Sequence, residues 1–203
     1  MLMSKSERRK QMLDFVQRAD EAILLFIQEN IRFGFLNFLM KVITFIGNVG
    51  LLWICIGLLL ILFKKRAKGL KLLIVLAVCW CISDLILKDL VCRSRPFITM
   101  EELTTIISFP RSYSFPSGHA CSSFASAYAL TKMYGKKGAI AYIPASLIAI
   151  SRVYLGVHYP SDVIAGAVIG TLGAIPVYYL LTKYLHLRNT SIMVKKREEG
   201  KTE

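Results

Sequence analysis

The order of apolar and polar positions divides the chain into a mixed N-terminal stretch, a series of apolar runs and two polar interruptions. From residue 5 to about residue 30, Met12, Phe15, Val16, Ala19, Ile23, Phe26 and Ile27 recur at helical spacing, with Arg8, Arg9, Lys10 and Arg18 on the other side. That pattern predicts an amphipathic helix lying in the plane of a membrane face. Residues 31–41 remain mixed and join the same interfacial segment, because a span starting near Ala22 would carry Glu29, Asn30 and Arg32 into lipid. Clean apolar runs then cover residues 42–63, 70–87, 117–133, 139–150 and 163–181. A hydrocarbon core of roughly 30 Å takes about 20 helical residues, so the longer runs can span it. The shorter runs, rich in Gly, Ala and Ser, must pack on their neighbours. The expected fold is all-α, a polytopic bundle of about five transmembrane helices plus the N-terminal interfacial helix. Its expected parts are an N-terminal segment (1–41), a membrane domain (42–185) and a basic tail (186–203).

Composition supports this class: 55% of the residues are hydrophobic, above the share of soluble domains. The chain carries 26 Lys and Arg against 13 acidic residues, a net charge of +13. Much of that charge flanks the apolar runs, as at Lys64, Lys65, Arg66, Lys68 and Lys71. Clusters so placed hold loops in the cytoplasm. No basic face with interleaved aromatics lies outside the runs, so the expected partner is the bilayer and not nucleic acid. Four of the five cysteines, Cys55, Cys79, Cys81 and Cys121, fall in apolar runs and read as small buried hydrophobes. Cys92 lies among charges and is also assigned to packing. The basic N-terminus lacks the apolar stretch and cleavage site of a signal peptide.

With five spans, the basic loops at 64–71 and 132–137 and the tail fall on one side, expected to be cytoplasmic. Stretches 88–116 and 151–162 then share the outer face. The basic N-terminal helix dissents, because the same count puts it outside.

Those two outer stretches hold the chemistry. The first contains Lys88 and Arg95-Pro96, the head of the third run is Pro116-Ser117-Gly118-His119, and the last contains Ser151-Arg152, His158 and Asp162. Ionisable residues gathered at span ends mark functional sites. Lys88, Arg95 and Arg152 are fixed cations at one membrane level, and Lys88 and Arg95 can share a side if that stretch stays helical. Arginine presents a planar fork to phosphate oxygens and lysine a compact charge. Gly118 admits close backbone approach, and the amides opening the third run add donors. Together they form a cradle for the spread negative charge of phosphoryl transfer.

Asp162 lies four residues after His158, within reach of one imidazole nitrogen. It would fix the tautomer and leave the other nitrogen as a nucleophile. His119 is placed to protonate the leaving oxygen. This chemistry needs no cofactor. Blander readings exist for each part: snorkelling cations at 88–95, an ordinary helix start at Pro116 and Ser117, and Asp162 as first-turn charge. A metal set of His119, His158 and Asp162 is the sharper competitor, opposed by the three nearby cations. A non-hydrolytic anion carrier would use the same cations but needs no nucleophile.

The sequence resembles the type 2 phosphatidic acid phosphatase superfamily, which includes glucose 6-phosphatases, lipid phosphate phosphatases and vanadium haloperoxidases. The matching residues are Lys88-x6-Arg95-Pro96, Pro116-Ser-Gly-His119 and Ser151-Arg152-x5-His158-x3-Asp162, in the family's order and spacing, over about residues 40–185. The resemblance implies a helical bundle with His158 as nucleophile, Asp162 as its partner and His119 as general acid. It implies phosphate binding by Lys88, Arg95, Ser117, Gly118 and Arg152, with no metal. It points to a lipid phosphate substrate, as in the short bacterial members that act on undecaprenyl pyrophosphate or phosphatidylglycerophosphate. Many family enzymes have six spans where this chain reads as five.

Overall fold

The computed structural model describes residues 4–199, with side chains described through residue 187. Residues 1–3 and 200–203, the ends of the expected N-terminal segment and basic tail, lie outside the described residues, as do the tail side chains from 188 onward. All regular structure described is helical.

Helix α1 covers Lys5–Asn30, opened by a reciprocal cap between Ser4 and Glu7. Helix α2 (Gly34–Gly47) and helix α3 (Leu51–Leu62) form one apolar column broken by a tight turn at Asn48–Gly50, where Val49 and Gly50 take positive φ. Helix α4 (Arg66–Trp80) widens into a π-type turn over Cys81–Leu87 and continues as the short α5 (Lys88–Val91). A left-handed Cys92 stops it, and Pro96 opens the short α6 (Pro96–Thr99). After an irregular loop come α7 (Gly118–Tyr134), α8 (Lys136–Ala139), α9 (Tyr142–Tyr154) and α10 (Pro160–Glu199).

Three helical stretches among the described residues are long and apolar enough to cross a membrane: Gly34–Leu62, Arg66–Thr99 and Pro160–Leu187. Helices α7 and α9 coincide with two further expected runs but are shorter than these. Helix α9 exposes Ile143, Leu147 and Ile150 on one face, whereas α7 is an interior helix. In α7, Ala120, Cys121, Ser122, Ser123, Ala125, Ser126, Ala127 and Ala129 are all buried. Small side chains let neighbours approach closely. A Cβ on Gly166 of α10 would stand 2.5 Å from the Ser117 carbonyl oxygen, and one on Gly170 would strike the Cys121 carbonyl. The main core joins Trp53, Leu72, Val75 and Leu76 to this face of α7, and the Trp53 indole donates to Ser123 Oγ at 3.1 Å.

One expectation changes at the N-terminus. The first apolar column starts at Gly34, because Phe35, Leu36, Phe38, Leu39 and Met40 outweigh Asn37 and Lys41. Helix α1 is amphipathic, and it packs on the bundle. Phe15, Val16, Ala19 and Ile23 line a groove with Ile164, Val168 and Ile169, so α1 runs beside α10. The face it turns inward is mixed, carrying Gln17, Asp20, Leu24 and Gln28, while Arg18 and Met12, Phe15, Ile23 and Phe26 are exposed. Cysteine burial also divides: Cys79 and Cys121 are buried, Cys81 is partly so, and Cys55 and Cys92 are exposed.

The basic loops meet at one end. Lys68 Nζ lies 4.0 Å from the centroid of the Tyr134 ring and Lys71 Nζ bonds Thr182 at 3.1 Å, joining residues 64–71, 132–137 and the middle of α10. The chemistry-bearing residues sit at the opposite end.

Candidate active site

The site forms where α7 and α10 begin, where the π-type turn ends and where the break between α2 and α3 opens. A cavity of about 320 Å³ there is lined by Asp84, Lys88, Arg95, Gly118, His119, Arg152 and His158, among others. Six of the eight residues expected from the sequence thus face one cavity. Ser117 and Asp162 stand behind it. Ser117 caps α7, and its backbone amide donates to the Asp162 carbonyl at 3.0 Å.

Lys88 and Arg95 meet by a different route from the one expected. The helix does not continue from one to the other, because Cys92 turns left-handed at φ 52° and Arg95 is extended. The reversed chain instead brings both cations to the Ser112 hydroxyl, Lys88 Nζ at 3.2 Å and Arg95 Nη2 at 3.1 Å. Arg95 is further fixed by the carbonyls of Ser112 (2.6 Å), Tyr113 (3.2 Å) and Val157 (2.7 Å). Arg152 donates from Nη1 to Thr44 Oγ1 at 2.5 Å, while its buried Nε makes no hydrogen bond within the protein. Lys88, Arg95 and Arg152 are 5%, 3% and 4% exposed, so their charges act at low dielectric. One carboxylate offsets them: Asp84 pairs with Lys88. Gly118 leaves the room Asp84 needs, since a Cβ there would collide with that carboxylate.

The two histidines are held differently. His119 Nε2 lies 2.9 Å from Asn48 Oδ1, so the α2–α3 break positions it. His158 follows α9 in a tight loop and is 2% exposed. Its Nε2 is 3.3 Å from Arg95 Nη1. Burial pushes the His158 imidazole down, to about 3, leaving it neutral.

The expected hydrogen bond between His158 and Asp162 is not closed. His158 Nδ1 stands 3.7 Å from Asp162 Oδ2 and makes no hydrogen bond. The carboxylate is occupied elsewhere, by Arg93 Nη1 (2.5 Å), Ser114 Oγ (2.5 Å) and the Tyr159 amide (3.0 Å). Asp162 therefore faces His158 from a fixed seat and does not line the cavity, as a shared metal would require.

Sequence reasoning missed several partners. Arg93 reads as an edge cation beside Arg95. Asp84 carried a signal, being a lone carboxylate in an apolar run four residues before Lys88. Asn48, Thr44, Ser112 and Asp20 carried none, because only the fold brings them near.

Comparison with known proteins identifies the family. The family described as "PAP2 superfamily" matches residues 68–185. The chain belongs to the PAP2 superfamily. Among relatives, it is 36% identical over 171 residues to phosphatidylglycerophosphatase B of Bacillus subtilis, covering 77% of this chain and 80% of that one. It is 35% identical over 121 residues to the undecaprenyl-diphosphatase of Sulfolobus acidocaldarius, covering 59% and 58%. The crystal structure of the transmembrane PAP2-type phosphatidylglycerolphosphate phosphatase from Bacillus subtilis superposes with a TM-score of 0.65 at 33% identity, over 84% of this chain and 86% of that one. With its long apolar helices, this PAP2 chain is an integral membrane protein.

Proposed function

We propose that the protein removes phosphate from a lipid phosphate or pyrophosphate through a phosphohistidine on His158, with undecaprenyl pyrophosphate as the leading substrate. As a PAP2 member it is a membrane lipid phosphatase, a phosphoric ester hydrolase. The finer reading rests on one observation. Three buried cations and two imidazoles face one cavity, and Val49 and Trp80 also line an apolar cleft of about 210 Å³ with Ile54, Leu73, Leu76 and Ala77. A head group and the start of its tail fit the two halves.

The chemistry follows from the donors. Arg95, Lys88, Arg152 and the first amides of α7 hold the phosphoryl oxygens and stabilise the charge they carry in the transition state. His158 Nε2 attacks phosphorus, a nitrogen–phosphorus bond forms, and the phosphorus–oxygen bond to the lipid breaks. His119 gives its proton to the departing oxygen. It then takes a proton from water, whose oxygen attacks phosphorus and returns His158 to its neutral form. The fixed cations supply the charge that metals supply in two-metal phosphatases, so no cofactor enters. Residues 42–185 make the phosphatase domain in this reading.

A cradle that reads phosphate accepts several lipids. The identity to phosphatidylglycerophosphatase B favours phosphatidylglycerophosphate as the second choice. Phosphate release by purified protein, measured on undecaprenyl pyrophosphate, phosphatidylglycerophosphate, phosphatidic acid and farnesyl pyrophosphate in detergent, ranks them. A kcat/KM at least tenfold higher for undecaprenyl pyrophosphate is expected; a higher value for another lipid reassigns the substrate.

A further inference from the structure

Asp162 is linked to a helix distant in sequence. Arg93 donates from Nη1 to Asp162 and from Nη2 to Asp20 of α1 at 2.9 Å and to Gln17 at 2.7 Å. Its guanidinium lies over the Tyr159 ring, 4.0 Å from the centroid. Asp20 also accepts from the Ser161 amide at 2.9 Å and from the Ser161 hydroxyl. Both carboxylates are buried, Asp20 at 3% exposure and Asp162 at 0%. One planar fork thus bridges two buried carboxylates, one on α1 and one beside the nucleophile.

Attachment of α1 alone does not call for this arrangement. Leu24 is fully buried, Gln28 bonds the Glu102 carbonyl and the Thr104 amide, and Arg32 bonds the carbonyls of Tyr154 and Thr104. A buried ion triad is a weak source of stability. It does give direction. With both arms engaged, the guanidinium cannot pivot, and its seat on Asp162 is fixed. Asp162 Oδ2 is 3.7 Å from His158 Nδ1, so a movement of under an ångström decides whether that hydrogen bond closes.

We infer that Asp20 is a positioning residue for the reaction: acting through Arg93, it fixes Asp162 and with it the tautomer of His158. Helix α1 is then a working part of the active site. The inference rests on His158 as nucleophile, and its test separates the two claims. None of Lys88, Arg95 and Arg152 touches Asp20, so substrate binding is untouched and turnover carries the effect.

The test uses the full-length protein in detergent with dioctanoylglycerol pyrophosphate as probe. Asp20→Asn keeps shape and removes charge; it is expected to lower kcat about tenfold or more with KM within about twofold, as loss of outer supporting partners does. Asp20→Glu recovers part of the loss. The double variant Asp20→Asn with Arg93→Gln is no slower than Arg93→Gln alone, because both act on one path. Wild-type kcat in Asp20→Asn, or losses that multiply in the double variant, overturn the inference. A purely structural role would lower the melting temperature and the active fraction but leave kcat per active molecule unchanged, and that pattern also overturns it. Should His158→Ala retain activity, the nucleophile assignment fails. The positioning claim is then read by nitrogen NMR of the three histidines: a changed His158 tautomer ratio in Asp20→Asn supports it, and unchanged signals overturn it.

Discussion

Arg95 Nη1 lies 3.3 Å from His158 Nε2. A guanidinium only donates, so this imidazole nitrogen accepts and the proton sits on Nδ1, toward Asp162. Arg95 thus favours from the cavity side the same tautomer that Asp162 favours from behind. In the proposed reaction, incoming phosphate takes over Arg95 and uncovers the lone pair at Nε2.

The protonation state follows from the same seat. Burial pushes the His158 imidazole down to about 3, with Arg95 and Arg152 adding to the push and Asp162 opposing it. An unfolded histidine takes its proton near about 6.5. Between these values the unfolded chain binds more protons, so His158 lowers stability as pH falls through that window and has no effect above it. Nitrogen NMR is expected to show a neutral His158 at pH 5. Titration of His158 between pH 6 and 7 contradicts the buried neutral nucleophile.

Gly118 tests the shape of the cradle. Gly118→Ala places a methyl group against the Asp84 carboxylate, displacing Asp84 and its partner Lys88. A shift of about an ångström costs on the order of a hundredfold in kcat/KM. The expected loss is of that size, with the melting temperature lowered by only a few degrees. Activity within twofold of wild type shows that Lys88 is not placed by this contact.

Chelation separates charge supplied by side chains from charge supplied by metal. Activity is expected to persist in EDTA, and orthovanadate to inhibit as a transition-state mimic on His158. Loss of activity in chelator, restored by a divalent cation, favours a metal site.

Orientation follows from the basic end. Lys65 and Lys68 lie over Tyr134 and Lys71 reaches Thr182, so these clusters belong to one face, which we propose to be cytoplasmic by the positive-inside rule. The N-terminal charges fall on the same side under this proposal. Helix α1 has Gln28 and Asp20 at the site end and Phe15 and Val16 along α10, carrying Arg8, Arg9 and Lys10 away from the site. In a cysteine-free background, Arg111→Cys should react in intact cells with a thiol reagent that cannot cross membranes, and Lys136→Cys only after lysis. The reverse pattern overturns the outward orientation and leaves the chemistry standing.

Much of this site was legible because its motifs are short and local. Ser117 precedes the helix it caps, and Pro160 marks the start of α10, so the positions of His119 and His158 follow from neighbours in the chain. Hydropathy made three long apolar stretches legible, although the first starts at Gly34 and not at residue 42. What was not legible depends on long-range packing. The pairing of Asp20 with Ser161, of Thr44 with Arg152 and of Asn48 with His119 joins residues far apart in sequence. The meeting of Lys88 and Arg95 was anticipated for a helical reason, but a left-handed Cys92 achieves it. Helix α1 shows the limit most plainly. Its spacing reveals two faces, but the face that meets the protein is a mixed one carrying Gln17, Asp20, Leu24 and Gln28, chosen by partners distant in sequence.

The proposed reaction passes through a covalent phosphate on His158. Rapid acid-free quenching of the enzyme with a substrate carrying radioactive terminal phosphate should trap a labelled protein, stable in alkali and labile in acid, as a phosphoramidate is. Peptide mapping should place the label on the segment containing His158. In His158→Ala, both label and turnover should vanish while the variant stays folded in detergent, since the nucleophile is indispensable to this route. Label elsewhere in the chain, or turnover above a few per cent of wild type in His158→Ala, contradicts it.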